Sequence, residues 1–149
     1  MYKEWLKEME NNGYEKDFGI VHLRVETLRY FIEYVHDSEH LKSTNAIIAD
    51  LAKAGFKSVD IKEGGERRRH YWETEVLGYF RDNGILIGAC SKGLFLISNG
   101  DDFNKYFPFA SNRIVTEISR IRKLEKYGYE YGFKDEEALV FYVPLEKEE

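Results

Sequence analysis

The 149-residue sequence predicts an α+β fold, on three observations. Apolar residues recur at three- and four-residue spacing in several segments divided by Gly, Asn and polar clusters, the period of amphipathic helices. Two short apolar runs, residues 85–87 and 94–97, flank Ser91-Lys92-Gly93, the pattern of a hairpin. A composition of 43% hydrophobic and 33% charged residues is apolar enough to build one core and too apolar for wholesale disorder.

Residues 2–11 predict a short helix with Trp5, Leu6 and Met9 on one face, ended by Asn11-Asn12-Gly13. Residues 18–23 read as a strand or a lead-in. A helix is expected over 24–36, where Val25, Leu28, Phe31, Ile32 and Val35 keep helical spacing. Residues 37–42 are polar and read as a loop. Ser43-Thr44-Asn45 offer capping oxygens to a helix whose stripe is Ile47, Ile48, Leu51 and Ala54, with Gly55 as its terminator. Val59 and Ile61 then alternate as in a strand and Gly64-Gly65 marks a turn, so a small hairpin is expected at 58–68.

The next helix, about 70–83, buries Trp72, Val76, Leu77 and Phe80, with Tyr79 at the margin and Asn83-Gly84 as its stop. The hairpin that follows should pair 85–89 with 94–98. Asp101-Asp102 is expected to cap a single helical turn ending at Pro108. Residues 112–127 predict the longest helix, with Ile114, Val115, Ile118, Ile121 and Leu124 facing inward and Gly128 closing it. Tyr127, Tyr129, Tyr131 and Phe133 alternate like a strand with one aromatic face, and 138–143 is a second strand candidate.

Charge is unevenly distributed. The net charge of −5 argues against a simple nucleic-acid binder. Residues 1–66 carry 9 basic and 13 acidic side chains, 67–126 carry 11 and 7, and 127–149 carry 2 and 7. Binding responds to the field at the contact face, so a basic middle block keeps nucleic acid in play. The acidic total predicts weak non-specific affinity and strong salt sensitivity. The apolar runs are too short for a membrane span, and the N-terminus lacks the hydrophobic region of a signal peptide. Cys90 is the one cysteine, so no internal disulfide can form. An intracellular, cytoplasmic protein is expected.

The run GILIGACSKGLFLISNGDDFNKYF, followed by RIVTEISRIRKLEKY from Arg113 onward, resembles winged-helix modules of bacterial phage and mobile-element proteins. The positions that carry the resemblance are Gly84, residues 85–87, Ser91, Gly93, Phe95, Asp101-Asp102 and Arg113, and it covers roughly residues 43–126. It implies a winged-helix domain with an extra N-terminal helix and C-terminal helix/strand elements. The winged-helix core would span about 24–126 of a single domain over 1–149, with an insertion at 56–69 and a C-terminal extension at 127–149. About 15 residues separate Gly55 from His70, where a helix-turn-helix has a short turn.

The function implied is that of a small non-catalytic DNA-binding protein acting in transcription control or replication. The side chains support it. Arg67, Arg68, Arg69 and His70 stand at the helix start, where they can grip phosphates. Tyr71, Thr74, Gly78 and Arg81 form a polar face with a small residue that lets a helix sit close in the major groove, and Lys92 marks the wing tip. Glu73 and Glu75 would repel phosphate unless they pair with arginines or accept from a cytosine amino group. The alternative is a protein-binding winged helix, an inhibitor or adaptor such as a phage inhibitor of a host or defence enzyme, which the acidic total and the many tyrosines suit. Double-stranded DNA, a protein partner and a second copy of the chain, through 112–143, are the partners considered; a membrane is not.

Other constellations are weaker. His36 and His40 are four apart, but a helix end is expected between them and no third ligand stands out. Asp60-Ile61-Lys62 matches the acid-x-lysine half of a nuclease site without an identifiable partner carboxylate. Cys90 reads as a small buried side chain, and His22 and His70 as structural or surface residues. No catalytic residue, metal or cofactor is expected.

Overall fold

Helix α1 (Tyr2–Asn12) and helix α2 (Ile20–Tyr34) open the fold. The computed structural model describes residues 1–133 and divides into a unit ending at Tyr106 and a second beginning at Phe107. Residues 20–23, read as a strand or lead-in, are the first turn of α2; His22 and Leu23 are buried there, and His22 Nδ1 accepts from the Phe18 amide at 3.0 Å.

Ser43 caps α3 (Thr44–Lys53), its hydroxyl accepting from the Ala46 amide at 3.2 Å. The hairpin expected at 58–68 is absent. A 3-10 turn (Lys57–Val59) and the one-turn helix α4 (Ile61–Gly64) occupy that stretch. Asp60, offered above as half of a nuclease site, caps α4 by accepting from the Lys62 amide at 3.1 Å. The local cap outweighs the two-residue alternation of Val59 and Ile61, and the arginines that follow add helix formers rather than strand formers.

Helix α5 (Glu66–Trp72), a π-helical stretch (Glu73–Gly78) and helix α6 (Tyr79–Asp82) run end to end as one rod. It starts four residues before the expected 70, because Gly65, at φ +79°, is the break and Glu66 begins the helix. In an α-helix, Leu77 would lie about 140° from Trp72 at 3.6 residues per turn. The π-stretch, with i→i+5 bonding, brings Leu77 round under Trp72. Trp72, Val76, Leu77 and Phe80 are all buried.

Strands β1 (Ile87–Cys90) and β2 (Gly93–Leu96) pair antiparallel, Ile87 with Leu96 and Cys90 with Gly93, around the two-residue turn Ser91-Lys92. This is the expected hairpin and register. Cys90 is exposed rather than buried, because it is the last residue before the turn.

The polar stretch 37–42 is a loop, as expected, with a tight turn at Ser38-Glu39 between Asp37 and His40, and its last residue makes a single-residue pairing with the hairpin. Lys42 bridges Leu94 antiparallel, with Leu94 N donating to Lys42 O at 2.8 Å and Lys42 N to Leu94 O at 3.3 Å. Leu96 N donates to Val35 O at 2.7 Å farther along. β2 therefore lies between β1 and this segment. Lys42 is also held by its side chain, which donates to the Tyr30 hydroxyl at 3.0 Å and pairs with Asp50 at 3.5 Å. The Tyr30 hydroxyl donates in turn to Asp50 and holds that carboxyl below its usual range.

The core of this unit gathers Leu28, Phe31, Ile47, Trp72, Phe80 and Leu96, all essentially inaccessible to solvent. Tyr2 on α1 clasps the base of the hairpin: its hydroxyl donates to Ile97 O at 2.6 Å and accepts from Leu86 N at 3.3 Å.

Helix α7 (Gly100–Glu130) replaces three separate expectations. It is not a single turn stopped by Pro108; the proline lies inside it. The loss of one N–H there is outweighed by the long run of helix formers beyond it. Asn99, rather than Asp101-Asp102, begins the helix, its side chain accepting from Asp102 N at 2.8 Å. Gly128 does not close the helix, and Tyr127 and Tyr129 lie on it rather than on a strand, so Tyr127 stacks on Tyr131 one turn later at 6.0 Å. The candidate strand at 138–143 lies outside the described residues. Ile114, Val115, Ile121 and Leu124, expected to face inward, are exposed, whereas Ile118 is buried. Among the described residues no helix is long and apolar enough to cross a membrane. The fold is α+β, with a small antiparallel sheet among helices.

Candidate nucleic-acid interface

The α5–α6 rod turns one side to the core and the other outward. Arg67, Tyr71, Thr74, Gly78 and Arg81 follow the α-helical spacing of four and three in sequence, but the π-stretch over Glu73–Gly78 shifts the phase between the first three and the last two. What all five share is exposure or half-burial, apart from the buried Trp72, Val76 and Phe80. Arg67, His70, Thr74 and Arg81 are exposed, and Tyr71 and Gly78 are half-buried. Lys92 is exposed in the hairpin turn. Among the described residues, the side chains of Arg67, His70, Thr74, Arg81 and Lys92 make no ion pair or hydrogen bond, so their polar groups are available to a partner.

Arg68 and Arg69 are not free in this sense. Arg68 Nη1 donates to Lys57 O at 2.7 Å and to Asp60 O at 3.4 Å, stitching the 3-10 turn and α4 to the rod. Arg69 donates to Asn45 Oδ1 at 3.3 Å and pairs with Glu73 at 3.5 Å and Glu66 at 4.0 Å. The three-arginine cluster therefore reduces to one outward cation, Arg67, beside two structural ones. Sequence spacing alone could not separate them, because the carbonyls that Arg68 caps belong to a segment expected as a hairpin.

The two glutamates of concern are both countered. Glu73 pairs with Arg69, and Glu75 lies 4.0 Å from Arg24. Arg24 also donates to the Glu75 carbonyl at 2.9 Å and stacks over the Tyr79 ring at 3.8 Å, which fixes α2 against the rod. The rod as a whole carries four basic and four acidic side chains over residues 66–82, so its positive field is local to Arg67 and Arg81.

Gly78 has the geometry of any helical residue, φ −60° and ψ −44°. A Cβ built there would meet only the Glu73 carbonyl oxygen, at an ordinary 3.7 Å. Among the described residues no packing requires a glycine at this position, and glycine within a helix costs about 0.5–1 kcal/mol relative to alanine.

Two further features stand outside this set of residues. An open groove of about 400 Å³ lies beside α3, lined among others by Asn45, Ala49, Lys53, Asp60 and Lys62. The turn after α2 brings together His36, Asp37 and His40. Helix α2 ends at Tyr34, ahead of both histidines rather than between them.

The second unit shows an amphipathic helical stretch with Ile114, Val115, Ile121, Leu124 and Tyr127 exposed and Arg120 pairing with Glu117 at 2.9 Å. The homodimer surface expected at 112–143 extends past the described residues. No protein-family model, curated protein or solved structure matches the chain.

Proposed function

We propose that this chain is a small, non-catalytic, cytoplasmic DNA-binding protein of winged-helix type, of the kind found in phages and mobile elements, acting in transcription control or replication. The observation that carries the reading is the order of the elements. Helix α2 is followed by a turn and a bridging residue, Lys42, then α3, the short 3-10 turn and α4, the rod, β1 and β2, with Lys42 paired to β2. Three helices with a hairpin after the third are what a winged helix-turn-helix needs to lay its last helix in a major groove and its hairpin along the backbone. Thr74 and Arg81 then face base edges, Arg67 and His70 face phosphates, and Lys92 reaches the flank.

Gly78 supplies the test. Replacing Gly78 by alanine should stabilise the fold by about 0.5–1 kcal/mol, because a helix-interior glycine is relieved without a clash. The same methyl should weaken duplex DNA binding severalfold, because the helix is held off the groove floor. Urea melts and fluorescence anisotropy on one preparation read both. A variant that gains stability and binds duplex as tightly as wild type removes this helix face from the interface.

A second reading is favoured by the internal engagement of Arg68 and Arg69 and by the even charge balance of the rod. In it the same face is a protein-binding surface, and the chain is an inhibitor or adaptor. Under that reading the Gly78→Ala variant leaves DNA indifferent, because wild type does not bind it.

A further inference from the structure

We propose that His36, Asp37 and His40 form a binding site for a divalent transition-metal ion, zinc being the ion their chemistry fits. One donor atom from each residue lies within 4.8 Å of the other two. His40 Nδ1 is 2.7 Å from one Asp37 carboxylate oxygen, and His36 Nε2 is 3.6 Å from the other. Around a tetrahedral zinc with bonds of ~2.0–2.1 Å, donor atoms sit about 3.3 Å apart. These two contacts use different oxygens of the one carboxylate, and the shorter is a hydrogen bond. Zinc needs the imidazole rings, 44% and 56% exposed, to swing until their nitrogens and one Asp37 oxygen stand at that spacing.

The rings are stacked, with centroids 4.4 Å apart and planes at 24°. At that exposure, burial gives them little reason to come together. Their backbone is fixed from several sides. His40 N donates to Asp37 O at 3.1 Å, and Glu39 N donates to Asp37 Oδ1 at 2.9 Å. The buried Asp102 carboxylate accepts from Ser38 N at 2.9 Å and from Ser38 Oγ at 2.6 Å. Ser98 Oγ donates to His36 O at 2.7 Å. The turn is therefore held before any ion arrives, and only three side chains need order on binding.

Two imidazoles and one carboxylate make a nitrogen-rich donor set that suits zinc, nickel or copper over magnesium or calcium. The single negative charge leaves the loaded site with a net +1, and the fourth position faces solvent, where a water completes the tetrahedron. An ion there ties the end of α2 to the turn that leads into the Lys42 bridge, so it binds the folded state and raises its melting temperature.

The test is calorimetric titration of the full chain, stripped with chelator, using zinc chloride as the ligand, alongside thermal melts with and without zinc. Wild type should take up a single equivalent and melt higher with zinc. His36→Ala and His40→Ala should each weaken uptake by about tenfold or more and abolish the zinc-dependent shift. Without zinc both should melt within a few degrees of wild type, because both rings are about half exposed and only His40 gives up a hydrogen bond, to Asp37. His70→Ala, on the rod, should bind zinc as wild type does. Absence of a saturable equivalent, or equal affinity in wild type and both turn variants, overturns the proposal.

Discussion

Replacing Trp72 by alanine should cost about 3–5 kcal/mol, the range for emptying a large aromatic site in a packed core. Trp72 is fully buried and sits where α2 and the rod meet, its ring edge-on to Phe31 at 6.3 Å. Its indole N–H donates to the Thr27 hydroxyl at 3.4 Å, and Thr27 is itself inaccessible to solvent. Truncation leaves a cavity and also strands a buried hydroxyl. The π-stretch amplifies the effect, because Leu77 packs on the same side of the rod only through that irregular turn. Chemical denaturation followed by far-ultraviolet circular dichroism checks it. A loss below about 1 kcal/mol would mean that the rod is not seated on α2 as described.

The second large effect is expected at the hairpin tip. Gly93 has φ +147°, and a Cβ there would stand 2.2 Å from the Lys42 carbonyl oxygen, 2.4 Å from its carbon and 2.9 Å from Ser43 N. These are backbone atoms and cannot rotate away. Gly93→Ala should therefore cost about 2–4 kcal/mol through strain and forced separation of the segments. It should also raise amide exchange at Leu94, whose N–H donates to Lys42. Wild-type stability in this variant would contradict the pairing of the Lys42 segment with β2, and with it the element order on which the functional reading rests.

The parts of the fold that were legible in the sequence are those decided locally. Two apolar runs around Ser91-Lys92-Gly93 were enough for the hairpin and its register, and Ser43 for the start of α3. The Lys42 bridge was not legible, because a single pairing within a polar stretch leaves no periodicity and depends on β2, about fifty residues later in sequence. The segment after α3 carried a usable signal that the alternation of Val59 and Ile61 masked: Asp60 with Glu63 three residues on is a helix-start signature. The aromatic alternation at 127–133 misled in the opposite direction. Tyr127 and Tyr131 are four apart as well as on a two-residue period, and the helix already running through Lys126 decides which spacing is used.

The candidate interface divided along the same line. Helical spacing alone groups Arg67, Tyr71, Thr74, Gly78 and Arg81, and does not show the phase shift that the π-stretch over Glu73–Gly78 introduces among them. What spacing does not show is which cations the protein uses on itself. Arg68 and Arg69 are taken by Lys57 and Asp60 from the turn before α4, by Asn45 from α3, and by Glu66 and Glu73 on the rod itself, and only the last two stand at helical spacing from their arginine. The pairing of Glu75 with Arg24 is likewise a tertiary contact, reaching from the rod to α2.

The central claim is that this outward face meets DNA. It is tested most directly by fluorescence anisotropy of a labelled duplex titrated with the full chain across about 50–200 mM salt, for wild type and for Arg67→Ala. Arg67 and Lys92 as the permanently charged phosphate contacts predict a log–log salt slope of about −2, falling by about 1 in magnitude in the variant. Duplex left unbound at the lowest salt by folded wild-type protein, or a slope that Arg67→Ala does not change, would contradict the claim.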